Sequence, residues 1–286
     1  LHFTAYKLVD GVFVNVNTND ICAFQKTIWD FYRVHGRQFS WRHVDDPYAV
    51  MVSEIMLQQT QTYRVVPKYT VFMQKLPTIA ALAQVDLRTV LNLWQGLGYN
   101  RRGKFLHDLA REVVHNYAGI IPDTPEQLIR LPGIGKATAG SICAFAFNKP
   151  TLFIETNIRT VFIHHFFLGK TDIHDNELMP LVAATLDMDK PRDWYYALMD
   201  YGVHLKKMLP NPSRKSRHHV VQSKFEGSDR QIRGAIICAL TTKEVVIRKD
   251  QLIAMISKDA GRVECILQEL IGEKLITVQD NMISIF

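Results

Sequence analysis

The sequence predicts a mainly α-helical protein that finishes in a small module of mixed helices and strands. Three observations carry this. From Tyr48 to about Lys149, apolar residues recur at helical spacing, punctuated by Pro67, Pro77, the Gly96/Gly98 pair, Pro122 and Pro132. The end of the chain, "LITVQDNMISIF", alternates around Asp280-Asn281 as a hairpin should. With 286 residues and a 47% hydrophobic fraction, the chain can bury one large core or two to three smaller ones.

The elements follow in order. Residues 1–17 read as an N-terminal extension, with a strand over about Val9–Val16. Thr18 and Asn19 cap a helix that carries Ile21, Phe24, Ile28 and Phe31 on one face. "GRQFSWRHVDDPY" breaks the pattern, and a helix restarts after Pro47. Helices joined by short links fill 48–149, one more opens across Pro150 and Asn157–Arg159, and another covers Trp194–His204. Residues 206–227 form a basic linker: "KKMLPNPSRKSRHHVVQSKF" carries Lys and Arg but no acid, and a solvated loop and a phosphate-tracking one both fit it. In 228–286 a helix over Arg230–Leu240, a strand in "EVVIRK", helices Gln251–Ile256 and Gly261–Glu273, and the hairpin give a winged-helix-like order. The third of those helices carries three Glu against one Arg and one Lys, so packing fits it as well as groove reading does.

Bulk properties exclude several classes. Net charge is +6 and the pI is near 9.1, a mild bias toward polyanions. Cys22, Cys143, Cys238 and Cys265 lie far apart with no C-x-x-C pair, as reduced thiols of an intracellular protein do. No apolar stretch approaches membrane-spanning length, and no signal peptide is evident. The pairs His164/His165 and His218/His219 lack partners at metal-ligand spacing, so no metal site is predicted.

Three stretches carry chemistry. In "LPGIGKATAG", Gly133 and Gly135 permit a tight turn, and Lys136–Thr138 start a helix whose free N–H groups and lysine suit an anion. In "SEIMLQQTQT", Glu54, Leu57 and Gln58 share a helix face with Gln59 one residue round, and burial would make Glu54 a proton donor near neutral pH. In "WQGLGYNRRGK", an aromatic, Tyr99, precedes Arg101, Arg102 and Lys104, a composition suited to entering a duplex while holding phosphates, though Tyr99 as core filler also fits.

With "SWRHVDDPYAVMVSEIMLQQTQT", "LWQGLGY", "LPGIGKATAG" and "FIETNIRTV" in this order, residues 37–205 resemble the helix-hairpin-helix (HhH-GPD) base-excision DNA glycosylases, and most the MutY-type adenine glycosylases. The resemblance covers roughly the middle three-fifths of the chain. It implies a two-lobed helical core over 18–205: a six-helix lobe at about 48–149, and a second lobe from 18–47 and 150–205. It also implies double-stranded DNA with a mismatch or lesion as partner, a monomer, and hydrolysis of the N-glycosidic bond of a flipped base. Glu54 matches the general acid, Glu155 the second catalytic acid, and Asn157 its polar helper. Gln59 and Tyr99 match duplex wedges, and Gly133, Gly135, Lys136 and Thr138 the hairpin, with Arg101 and Arg102 beside them. Arg37, Trp41 and Arg42 match the base-pocket entrance, with Leu57, Ala137, Tyr196 and Met199 around the pocket.

The departures are specific. The second acid is usually Asp, and Glu155 is one methylene longer, a displacement of ~1 Å that can cost on the order of a hundredfold if uncompensated. Ala137 stands where lyase relatives carry Lys, so Schiff-base strand cleavage is not expected. Tyr196 stands where the adenine enzymes often carry an acid. After Gly202 no Cys follows, so no iron–sulfur cluster is expected as cofactor. Adenine excision is the leading reading. Excision of another base (mismatched thymine or uracil, or a damaged purine) stays open, as does a non-catalytic lesion-binding protein.

Overall fold

The computed structural model describes residues 4–9, 12–243, 246–256 and 258–286. A β-hairpin opens the described chain: β1 (Thr4–Val9) pairs antiparallel with β2 (Val12–Asn17), from Thr4 opposite Asn17 to Val9 opposite Val12. Two strands stand where one was expected; the rest of the 1–17 segment lies outside the described residues. α1 (Thr18–His35) is capped one residue earlier than expected, by Asn17, whose side chain accepts from the Asn19 amide. Phe24 and Ile28 lie on its buried face. The predicted break then holds to α2 (Pro47–Leu57).

α3 (Thr62–Lys75) continues past Pro67, which was expected to interrupt it. Pro67 sits on an exposed face, where a ring costs one backbone bond and clashes with nothing packed. α4 (Ile79–Gln84) and α5 (Leu87–Leu93) are short and capped by Thr78 and Asp86. α6 (Arg101–Asn116) packs on both. α7 (Pro125–Leu128) precedes α8 (Lys136–Phe147), a helix buried from Ala139 to Ala146. α9 (Thr156–Phe166) and α11 (Pro191–Met208) form a packed pair, and between them lies α10 (Asp175–Thr185), which no expectation included. A 3-10 turn, Pro212–Lys215, packs on α9.

The end of the chain follows the expected order. α12 (Asp229–Cys238) runs into a π turn, Ala239–Lys243, then come β3 (Val246–Arg248), α13 (Lys249–Ile256) and α14 (Ala260–Gly272). β4 (Ile276–Gln279) and β5 (Met282–Ile285) complete a sheet of order β3-β5-β4. Glu244 and Val245 of the expected strand lie outside the described residues. Asp280 and Asn281 have φ of 49° and 62°, the pair of left-handed residues a type I′ hairpin turn requires.

The chain divides into two compact units, one of residues 1–50, 123–129 and 135–221, the other of 51–122, 130–134 and 222–286. In the first, α1, α8, α9, α10 and α11 surround Ile28, Phe145, Phe162, Trp194 and Tyr195, all at most 1% exposed. Phe24 bridges α1 to this core, 5.3 Å from the Phe162 ring and 6.0 Å from Trp194. In the second unit the C-terminal module is no appendage: Leu87 and Leu91 of α5 belong to the same apolar cluster as Ile236, Leu252, Leu267 and Ile283. Arg88 Nε donates to the Leu240 carbonyl at 3.0 Å, and Gln95 Nε2 to Thr241 Oγ1 at 2.9 Å. The acids of α14 and its C-cap are paired: Glu269 and Glu273 with Arg233, Glu264 with Lys249, and Glu273 also lies 3.8 Å from Arg101 Nη1 of α6.

Candidate active site

Glu155 is the N-cap of α9. Its Oε1 accepts from the backbone N–H of Asn157 at 2.7 Å and of Ile158 at 2.9 Å, and Oε2 accepts from Asn157 Nδ2 at 3.1 Å. These are the second and third helical amides, which a shorter Asp ordinarily caps; the longer side chain folds back to reach them. Asn157 Oδ1 in turn accepts from Lys206 Nζ at 2.8 Å. α11 comes close enough to fix Asn157 because residue 202 is glycine: a Cβ there would stand 2.4 Å from the Asn157 carbonyl oxygen. Burial pushes the Glu155 carboxyl above its ordinary value, against the opposing pull of the Ile158 amide, Lys206, the Asn157 amide and Arg159. Burial pushes Lys206 down, and Glu155 opposes that shift. Arg159 is itself held by Asp175, with two bonds of 2.7 Å.

The residues expected at the pocket entrance are built into the core of the same unit. Asp200 on α11 is 3% exposed and accepts four hydrogen bonds: from Arg37 N and Nε at 2.7 Å each, and from both terminal nitrogens of Arg42 at 2.8 Å. Arg42 is buried, with its guanidinium 4.3 Å from the Tyr196 ring centre. Tyr196 is buried too, stacked on Phe145 at 4.4 Å, and Trp41 lies stacked on Phe39 at 4.9 Å. So Trp41, Arg42 and Tyr196 form a framework rather than an open rim. Arg37 and Met199 are half-buried, and Ala137 is exposed on the first turn of α8.

That turn has no side-chain cap. Gly135 is the α8 N-cap and supplies no side-chain acceptor, a Cβ on it would meet nothing within 4 Å, and Gly135, Lys136 and Ala137 are exposed while Thr138 is half-buried. The positive end of the helix and an exposed lysine lie together here.

The second unit holds the other residues. Glu54 is half-buried on α2, flanked by Ser53 and Ile55 at 1% and 2% exposure. Leu57 is half-buried, and Gln59 just beyond the helix is exposed at φ 52°. Arg102 departs most from expectation. It is buried, and it donates to the carbonyls of Ile55, Met56, Gln58, Leu97 and Gly98 and to Thr60 Oγ1. It therefore closes the C-terminus of α2, where carbonyls lack helical partners, instead of facing a phosphate. Burial pulls its guanidinium down to about 10, still charged at neutral pH. Arg101 is exposed, over the Phe105 ring at 5.2 Å. Gly133 has φ +77°, and a Cβ there would stand 2.7 Å from Phe105 Cβ, so both conformation and space demand glycine.

Asp200 and Lys206 are the residues that sequence reasoning missed. Their signal was spacing on α11: Asp200 lies four after Tyr196, and Lys206 four after Gly202, so each shares a face with a recognised position. Segment 206–217 contains no cysteine, a donor set that does not fit an iron–sulfur cluster. Among the described residues no group of three or more His, Cys, Asp or Glu could hold a metal ion. Nor is any described helix long and apolar enough to cross a membrane.

Comparison with known proteins gives a consistent picture. Residues 52–182 match the family described as HhH-GPD superfamily base excision DNA repair protein. The chain is 35% identical over 185 residues to an adenine DNA glycosylase of Buchnera aphidicola, covering 63% of this chain and 52% of the relative. It is 34% identical over 248 residues to the adenine DNA glycosylase of Rattus norvegicus, covering 79% of this chain and 47% of that one. The chain thus spans about half the length of these relatives. Among solved structures, a thermostable thymine-DNA glycosylase superposes with a TM-score of 0.58 at 27% identity, over 64% of this chain and 86% of that one. An endonuclease III–DNA complex shares the fold at TM-score 0.54 and 14% identity. The motifs, the helical architecture and these matches agree, and residues 52–182 belong to the HhH-GPD superfamily of base excision DNA repair proteins.

Proposed function

We propose that the chain is a monofunctional DNA glycosylase that hydrolyses the N-glycosidic bond of a flipped base, with adenine in a purine mismatch as its substrate. The observation that carries this is the Glu155 carboxylate, fixed by two backbone amides and by an Asn157 that Lys206 itself holds. A base leaves the sugar with its bonding electrons, so positive charge develops on the sugar ring. A pre-oriented carboxylate stabilises that charge or captures it covalently. The helix amides hold Glu155 in place, so little reorganisation is needed as the charge appears. Glu54, half-buried between buried Ser53 and Ile55, is the acid that protonates the departing purine.

The α8 N-terminus with Gly133, Gly135, Lys136 and Thr138 grips backbone phosphate, exposed Arg101 adds a cation, and Gln59 and Tyr99 enter the duplex. Ala137 offers no amine for a Schiff base, so the product is an abasic site and not a nicked strand. The protein acts as a monomer on double-stranded DNA, with base-pocket contacts from Arg37, Leu57, Ala137 and Met199.

A second reading, excision of mismatched thymine, is favoured by Tyr196: it is buried under Arg42 where an acid is common in adenine enzymes, and a thymine-DNA glycosylase is among the similar structures. Single-turnover excision from duplexes with A opposite 8-oxoguanine, A·G, T·G or U·G, read with and without alkali, tests both. We expect adenine release with scission only after alkali, and losses of roughly 10²–10⁴-fold in Glu54→Gln and Glu155→Gln. Release of thymine instead establishes the second reading. Tight binding with no base released from any duplex makes the chain a lesion-binding protein.

A further inference from the structure

Tyr99 is held in a way that its proposed role as a wedge does not by itself require. It has φ 48°, a left-handed conformation rare for an aromatic residue, in the irregular segment between α5 and α6. Such a conformation persists only where surrounding contacts over-determine it. Here they come from two directions. The buried Arg102 guanidinium lies 5.4 Å from the centre of the Tyr99 ring. From the C-terminal part of the same unit, Gln222 Nε2 donates to the Tyr99 hydroxyl at 2.7 Å and Arg230 Nη1 at 3.0 Å, with the Arg230 guanidinium 5.5 Å from the ring centre. Arg230 is anchored in turn through Nη2, which donates to the Ser223 carbonyl. Exposed Gln59, the other proposed wedge, has φ 52° but no hydrogen bond of this kind among the described residues.

We propose that Arg230 and Gln222 are positioning residues for the duplex-entering aromatic: they order Tyr99 before DNA arrives, making the C-terminal module part of the lesion-probing apparatus. The inference rests on the reading of Tyr99 as a wedge. An aromatic on an irregular segment would otherwise be ordered at the moment of binding, at the expense of affinity. The hydroxyl is the handle, so Tyr99→Phe keeps a ring able to stack while removing both hydrogen bonds.

The test uses the full chain and a duplex with A opposite 8-oxoguanine, with 2-aminopurine beside the pair as a reporter of unstacking. Wild type should raise the reporter fluorescence. Tyr99→Phe and Arg230→Ala should each weaken binding and slow that rise by roughly tenfold, the size expected when one side chain must be ordered on binding. The double variant should lose clearly less than the sum of the two singles, because both remove the same Arg230–hydroxyl hydrogen bond. In Arg230→Ala, single-turnover excision at saturating DNA should change little, and the melting temperature should match wild type. Additive losses, unaltered binding in Arg230→Ala, or faster unstacking in either variant would overturn the inference while leaving the wedge intact. A wild type that raises no fluorescence overturns the wedge reading itself, and this inference with it. Arg230→Lys guards against misfolding: it keeps the cation without the forked donors, and should fall between wild type and Arg230→Ala.

Discussion

Arg42 and Arg102 are both buried arginines, one in each unit, and although each keeps a buried Nε without a partner, their terminal nitrogens are satisfied in opposite ways. Arg42 faces a carboxylate: its terminal nitrogens reach both oxygens of Asp200 at 2.8 Å, leaving that pair electrically neutral while Arg37 adds a half-exposed second cation. Arg102 faces only neutral acceptors, five carbonyls and a hydroxyl, with Trp94 and Tyr99 rings near its plane. An ion pair has two partners that can be removed together. A cation that closes a helix end has no such partner, because all its acceptors but the Thr60 hydroxyl are main chain. The two sites should therefore respond differently to substitution.

The largest effect is expected at Arg102. Arg102→Met strands the C-terminal carbonyls of α2 and should cost at least about 4 kcal/mol, the exceptional end of single substitutions. Arg102→Lys should recover less than half, since three donors on a point charge cannot reproduce the fork. Denaturant unfolding measures both. If Arg102→Lys is as stable as wild type but its DNA affinity loses about one unit of salt slope, Arg102 holds a phosphate after all and the comparison breaks.

At Asp200 the loss should be slightly smaller and, unlike that at Arg102, rescuable. Asp200→Ala leaves Arg42 buried without its counter-ion and should cost about 3–5 kcal/mol. Asp200→Leu combined with Arg42→Met should be far closer to wild type, because an apolar pair needs no desolvated charge. A double variant as unstable as the single would show that Asp200 acts mainly through Arg37, whose backbone amide and Nε it also accepts.

This contrast also explains what the sequence displayed and what it hid. α1, the break at 36–46, the helical run to Phe147 and the I′ hairpin at Asp280-Asn281 were legible because periodicity and turn chemistry are local. α10 was not. "DNELMPLVAAT" is apolar on several sides and contains Pro180, and its capping box uses His174 with Glu177 rather than Ser, Thr, Asp or Asn. Glu54, Glu155, Asn157 and the hairpin glycines were legible as motifs. The burial of Arg102 was not legible for a physical reason: aromatic plus basic is the same pattern whether the cation faces a phosphate or the carbonyls of its own helix. Which one holds is decided by tertiary burial, and so is the partnership with an acid 158 residues away.

Glu155, half-buried, extends the comparison to an anion and gives the smallest expected effect. Its carboxyl is raised by burial despite two helix amides and nearby Lys206 and Arg159. The sign follows from linkage: a folded-state value above the unfolded one means the native protein binds the proton more tightly. The stability from that proton is fully present below the unfolded carboxyl value of about 4.3, and is lost as pH rises through the raised folded value. Glu155→Gln keeps an oxygen for the Asn157 and Ile158 amides but has no charge to bury. Its melting temperature relative to wild type should therefore increase from pH 4 toward neutrality and level off above the folded value, even as base excision is lost. Wild-type excision should show an acid limb above the ordinary carboxylate range, because only the ionised form can stabilise the sugar cation. A melting difference that is flat with pH would mean that the amides and Lys206 offset burial in full. Glu155 would then resemble Arg42, a charge matched by its surroundings, and not a charge kept at the expense of stability for use in the reaction.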